Sequence, residues 1–263
     1  MLLAIDIGNT HTVFGVYRRT KLLVDWRATS IHQRTEDEVG SQILLFMEGK
    51  GIKPKGITGL AISSVVPYLT DIFASMSKKY FRMKPLIISS ALDLGIKIHY
   101  DDPSSVGADR LCNAIAGYAK YKGPLLIIDF GTATTYDVVA KNGDYLGGVI
   151  SPGVETSAAD LHRRAAKLPK VELRFPKKTI GTDTVESMQS GILYGALDAM
   201  EGMVERIQKE MKKREGRTAR VIATGGFSEF VTRHSKLVDA REPSLVLDGV
   251  RLIYEREQKR KKK

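Results

Sequence analysis

Two stretches of this chain interrupt an apolar run with an aspartate, a glycine and hydroxyl side chains. They are Asp6, Gly8 and Thr10 in LLAIDIGNTHTVFGVY, and Asp129, Gly131 and Thr132 in LLIIDFGTATTYDVV. Glycine turns the chain sharply and admits a ligand close to the backbone, so successive amides can point into one concavity and hold phosphate oxygens. Threonine and asparagine side chains add donors. A carboxylate at the same place repels phosphate unless a cation lies between them. Hard cations such as Mg2+ or K+ take oxygen ligands, which makes Asp6 and Asp129 sensible seats for that bridge. Two such turns acting on one triphosphate would serve phosphoryl transfer, where positioning and charge neutralisation supply most of the catalysis. No GxxxxGK[ST] occurs, so this is not a P-loop chain. ATGG at 223–226 is a weaker candidate for the nucleoside end.

A transferase also needs an acceptor site. VGADRLCNA, residues 106–114, places Asp109 and Arg110 at the start of a helix whose apolar face is Leu111, Ala114, Ile115 and Tyr118. Two readings of Asp109 stay open on spacing alone. It stabilises the helix N-terminus as an acidic first-turn residue, or it is the general base for a substrate hydroxyl, with Arg110 holding a carboxylate. The remaining candidates are plainer. His11 lies in the first turn and His162 on a charged helical face. His32, His99, His234 and Cys112 show no metal-ligand spacing, and Cys112 reads as helix packing.

The elements that must carry these residues follow from periodicity. Residues 2–6, TVFGVYR and LLVDWRA read as strands, and Thr35 with Glu38 forms a capping box that opens a helix to about Met47. ITGLAISSV, a helix opened by Pro67, and PLIIS complete a β-β-β-α-β-α-β order, the mark of an α/β domain. LLIID, TATTYDVVA and DYLGGVI begin the same order again. Helices follow over 153–166 and 184–215, then the strand ARVIATGG, a helix from FSEFVTRH, and a final helix from LVLDGVRLIYERE. Gly191, Gly195 and Gly202 on the long helix suggest close helix packing at a dimer interface. Repetition of Asp-x-Gly in matching hairpin contexts points to a duplicated domain, residues 1–110 and 111–263, facing one another across a cleft. A basic tail is expected over 256–263.

Composition narrows the setting. Apolar residues make up 43% and charged residues 27%, ordinary for a globular protein. No apolar run is long enough to span a membrane. One cysteine admits no internal disulfide, which suits a cytoplasmic location. The net charge is +11, but residues 251–263 carry seven basic and two acidic residues, leaving +6 for the rest without an arginine stripe. Nucleic acid is therefore not the expected partner.

Taken together, DIGNT, GADR, DFGTATTYD, GGVISPG and TDTVESMQSGILYGALDAMEG resemble the type III pantothenate kinases, in that family's order and from residue 2 to about Glu255. The Asp-x-Gly turns alone are shared across the actin and sugar-kinase superfamily of duplicated ribonuclease-H-like domains; the combination with GADR and the Thr184 segment is far more specific. The resemblance implies an actin-like ATPase fold with a nucleotide cleft, and ATP-dependent phosphorylation of pantothenate to 4′-phosphopantothenate, the first step towards coenzyme A. It implies that Asp6, Ile7, Gly8, Asn9, Thr10, His11, Thr12 and Val13 hold ATP phosphates, with Asp6 near Mg2+ or another divalent ion. Thr132 would contact ATP, and Asp129 would bind K+ or NH4+. Tyr100, Gly107, Ala108, Asp109, Arg110 and Thr184 would bind pantothenate, with Asp109 as base. It further implies a cytoplasmic homodimer, with Thr184 reaching across the dimer. Two rivals remain at this point: another small-molecule kinase of the superfamily, and a non-catalytic accessory protein of the same fold.

Overall fold

In a computed structural model that describes residues 1–261, the N-terminal apolar run becomes β1 (Leu2–Ile7). It pairs antiparallel with β2 (His11–Arg18), which pairs antiparallel with β3 (Lys21–Thr29). Parallel neighbours need a crossover connection. α1 (Glu36–Gly49) leads to β4 (Gly59–Ser64), parallel to β1, and α2 (Pro67–Phe81) leads to β5 (Leu86–Ile87), parallel to β4. The sheet order is β3-β2-β1-β4-β5. β1 is central, so Leu2 to Ile5 and Ile7 are all buried and the sequence is apolar without alternation. Leu3, Ile5, Phe14, Ile43, Met47 and Met76 share one core, in which Phe14 stacks on Trp26 with centroids 5.2 Å apart.

The capping box is complete. Glu38 N–H donates to Thr35 Oγ1 at 3.3 Å and Thr35 N–H to Glu38 Oε2 at 2.8 Å. Thr35→Ala is therefore expected to cost about 1 kcal/mol, read as a lower urea midpoint at unchanged slope.

α3 (Ala108–Tyr121) leads into a second set of strands. β6 (Leu125–Phe130), β7 (Ala133–Val139) and β8 (Tyr145–Pro152) form an antiparallel meander. After α4 (Val154–Arg164) and α5 (Thr184–Glu215), β9 (Arg220–Thr224) joins parallel to β6. α6 (Ser228–Thr232) then leads to the two-residue β10 (Ala240–Arg241), a strand that periodicity does not reveal. The order β10-β9-β6-β7-β8 repeats the first sheet, with β6 in the place of β1 and β9 in that of β4. Asp183 caps α5 by accepting from Glu186 N–H at 2.8 Å, and Gly216 ends it in the left-handed region at φ 74°.

α7 (Leu245–Arg260) changes the expected division. The chain forms two compact units, Met1–Ala116 with the segment from Ser244 onward, and Gly117–Pro243. The contiguous split at 110/111 thus assigns α7 to the wrong half. α7 packs on the first unit because its buried face, with Leu247, Val250 and Ile253, covers that sheet, and Tyr17 donates to Asp248 Oδ1 at 3.0 Å. A Cβ on Gly249 would fall 2.1 Å from the Cys112 carbonyl oxygen, so only glycine allows this approach. The expected tail is also corrected: residues 256–260 are helical and Glu257 is buried, while Lys262 and Lys263 lie outside the described residues. Among the described residues no helix is long and apolar enough to cross a membrane.

Candidate functional site

In the first unit, Asp6 is the penultimate residue of β1, opposite Val13 of β2 and Ser63 of β4. Ser63 Oγ donates to Asp6 Oδ1 at 2.7 Å. The turn closes through Gly8 N–H to the His11 carbonyl at 3.0 Å, the same oxygen that an added Cβ on Gly8 would press at 3.0 Å. Ser30 N–H donates to the Thr10 carbonyl at 2.9 Å, and the Thr12 and Ser30 hydroxyls are bonded at 2.9 Å. Ile7 and Thr12 are buried and anchor the loop, whereas Asn9, Thr10 and His11 are exposed and accessible to a ligand. Val13 is half-buried.

Asp109 sits in the first turn of α3, half-buried, and accepts from Arg110 N–H through Oδ1 at 2.8 Å. Burial raises its carboxyl above the usual carboxylate range, opposed by the Arg110 amide and guanidinium. A Cβ on Gly107 would lie 2.4 Å from Asp109 Oδ1 and 3.4 Å from Val65, so the glycine lets the carboxylate fold back on its own turn. Ala108 and Arg110 are buried. Val65 N–H donates to the Ile7 carbonyl at 3.1 Å, so the residue that Gly107 faces is itself bonded to the end of β1. Cys112, also buried, has its thiol pushed up first by burial and then by Asp6 and Asp109, with Ser63 opposing the rise. The cysteine is thus a packed group rather than an accessible nucleophile. Tyr100 lies on the segment between β5 and α3, 36% exposed.

The second unit repeats the turn. Asp129 is the penultimate residue of β6, opposite Thr135 of β7 and Thr224 of β9. Gly131 N–H donates to the Ala133 carbonyl at 3.1 Å, and the Thr132 carbonyl accepts from Gly153 N–H at 3.0 Å and Thr156 Oγ1 at 2.6 Å. Gly131 and Thr132 are exposed above this backbone clamp. Gly225, at φ 89°, abuts the aspartate: a Cβ there would be 2.4 Å from Asp129 Oδ1. The ATGG stretch thus serves Asp129, a contact that spacing does not reveal.

Thr184 opens α5, exposed, and lines a groove of about 1020 Å³ with Ser151, Val154, Leu161, Gly191 and Gly195. Cβ atoms on Gly191, Gly195 and Gly202 would meet nothing within 4 Å, so these glycines serve no close packing among the described residues. His162 engages its own loop, Nδ1 lying 2.7 Å from the Leu168 carbonyl. Ser63 is the residue that motif reading passes over; its only signal is a hydroxyl pair closing the apolar strand GLAISS.

Two copies of one five-stranded sheet, each with an Asp-x-Gly turn after its central strand, define the actin-like ATPase and sugar-kinase fold. Solved structures share it. A conserved Baf family protein of Campylobacter jejuni, named as a transcriptional activator, superposes with TM-score 0.58 at 19% identity over 98% of this chain and 99% of its own. The activator of the 2-hydroxyisocaproyl-CoA dehydratase of Clostridium difficile, solved with bound ADPNP, does so with TM-score 0.55 at 14% identity over 100% and 97%. At these identities the likeness concerns fold alone. The chain itself belongs to the type III pantothenate kinase family, whose model matches residues 2–206. A type III pantothenate kinase of Koribacter versatilis (strain Ellin345) is 42% identical over 273 residues, covering 100% of this chain and 98% of the relative. The chain is a pantothenate kinase, a transferase that uses ATP with a divalent metal.

Proposed function

We propose that, in transferring the γ-phosphoryl group of ATP to pantothenate, this chain uses Asp109 to take the proton of the acceptor hydroxyl. The observation that carries this is the Asp109 carboxyl, half-buried and held by the Arg110 amide, with its proton affinity raised by burial. An alcohol does not ionise at neutral pH, so a positioned base of raised pKa is what the step requires. The hydroxyl oxygen forms its bond to the γ-phosphorus as the bond to the β–γ bridging oxygen breaks. ADP departs with that electron pair and Asp109 keeps the proton. The product is 4′-phosphopantothenate, the first intermediate on the way to coenzyme A.

The other roles divide by element. The stretch Asp6 to Val13 and Thr132 receive the ATP phosphates. Gly107 to Arg110, Tyr100 and Thr184 receive pantothenate, the guanidinium of Arg110 meeting its carboxylate. Mg2+ binds through one or two carboxylates, water and substrate phosphates, and Asp6, a strand-end carboxylate beside an exposed turn, fits that donor set. When bound, the divalent ion neutralises charge on the phosphate oxygens. Asp129 is the seat of the monovalent cation, K+ or NH4+. The protein acts in the cytoplasm as a homodimer, and the groove along Gly191 and Gly195, open within the chain, supports α5 as the face that meets a second copy.

The test is transfer of label from γ-labelled ATP to pantothenate with Mg2+, in potassium against sodium. Label in phosphopantothenate supports the reading. Nucleotide binding without transfer would remove pantothenate as acceptor, and no nucleotide binding at all would favour an accessory role. Asp129→Asn is expected to lower the activity in potassium by about 10–100-fold and to erase the difference between potassium and sodium. A variant that keeps its potassium response would place the monovalent site elsewhere. Light scattering at the mass of one chain would remove the dimer.

A further inference from the structure

We propose that Ser63 is a positioning residue for phosphoryl transfer, fixing the Asp6 carboxylate at the end of β1 so that it meets the metal–nucleotide in one orientation. This rests on the reading of Asp6 as the carboxylate beside the divalent ion. Ser63 is fully buried, lies directly opposite Asp6 in the parallel β1–β4 ladder, and donates to Asp6 Oδ1 at 2.7 Å. A carboxylate accepts only, and a serine hydroxyl has one proton, so this bond commits that proton to Asp6.

The surroundings argue against a serine that is merely tolerated. Leu60, Ala61 and Ile62, which precede it on β4, are buried and apolar, and a hydroxyl among them costs free energy unless it is bonded. The second sheet repeats the arrangement with a different residue. Thr224 of β9 lies opposite Asp129 of β6 in the equivalent parallel pair and is 2% exposed. Each strand-end aspartate thus has a buried hydroxyl at the same register position. Hydrogen-bonded groups behind a metal-bearing carboxylate set its orientation, and their removal weakens metal binding by about 10–100-fold.

The experiment measures Mn2+ binding to the whole protein in the presence of ADP, by electron paramagnetic resonance, without turnover. Ser63→Ala is expected to weaken Mn2+ binding by about 10–100-fold, and Ser63→Thr, which keeps the hydroxyl, to restore most of it. Ser77→Ala removes another fully buried hydroxyl, bonded to the Met83 carbonyl at 2.8 Å, and is expected to bind Mn2+ as the wild type does. Wild-type affinity in Ser63→Ala would overturn the inference. Should that variant fail to fold, Ser63→Thr and Ser63→Val, alike in shape, differ by the hydroxyl, and equal Mn2+ affinity in the two would overturn it as well. Asp6→Asn separates the two layers. Weak binding in Asp6→Asn with normal binding in Ser63→Ala removes only the role of Ser63, whereas normal binding in Asp6→Asn removes the metal reading of Asp6 and with it this inference.

Discussion

Asp109→Asn is expected to lower kcat for pantothenate phosphorylation by about a hundred- to ten-thousand-fold, the usual contribution of a positioned proton acceptor. Asparagine keeps an oxygen for the Arg110 amide and nearly the same volume beside Gly107, so the local geometry of the α3 turn survives. What it loses is the capacity to take a proton. The pH dependence has a definite sign. Asp109 must be ionised to act, and burial raises its folded pKa, so wild-type kcat falls as pH drops through that raised value. The stability effect runs the other way. A carboxyl with a raised folded pKa contributes stability that is fully present below its unfolded pKa and is lost as pH rises through the folded one. At neutral pH the ionised group is therefore a cost, and Asp109→Asn is expected to melt at or above the wild-type temperature while being nearly inactive. Steady-state rates and thermal melts across the acid range check both halves. A kcat close to wild type in the folded variant would end the case for Asp109 as base.

Gly225→Ala carries the largest expected loss of stability. The residue is held at φ 89°, where a side chain is strained, and an added Cβ would sit 2.4 Å from Asp129 Oδ1 and 2.6 Å from both the nitrogen and the oxygen of Phe130. Two of these obstacles are backbone atoms in a central strand, so the turn after β9 has to move. Overpacking of this kind together with a strained backbone is expected to cost about 2–4 kcal/mol. For a chain of this size that is a fall in Tm of roughly 5–15 °C. Because the displaced group is Asp129, the variant should also lose its potassium response at temperatures where it remains folded. A Tm within a degree or two of wild type would show that the turn relaxes freely and that the close approach has no structural role.

Much of the architecture was legible because its causes are local. The apolar runs of β1 and β6 mark central strands, since a strand with neighbours on both sides and covered faces needs no alternation. Thr35 with Glu38 marks a helix start, because a cap is satisfied within a few residues of chain. The paired Asp-x-Gly turns announced the duplication, and each follows its strand into a hairpin that the strand spacing already implied.

Contacts between distant residues were not legible in this way. α7 shows a clear apolar face, but periodicity is silent about which sheet that face covers; Tyr17, some 230 residues away, and the bare backbone at Gly249 settle it. Ser63 reads as one more small residue in a strand until the β1–β4 register sets it against Asp6, 57 residues apart. Gly225 looks like an ordinary turn glycine until β9 carries it onto Asp129. Propensity and pattern report the free energy of a segment with itself, and they specify which residue types stand at the ends of which strands. The partners across the sheet depend on register, which arises only when strands far apart in the chain bury their faces together.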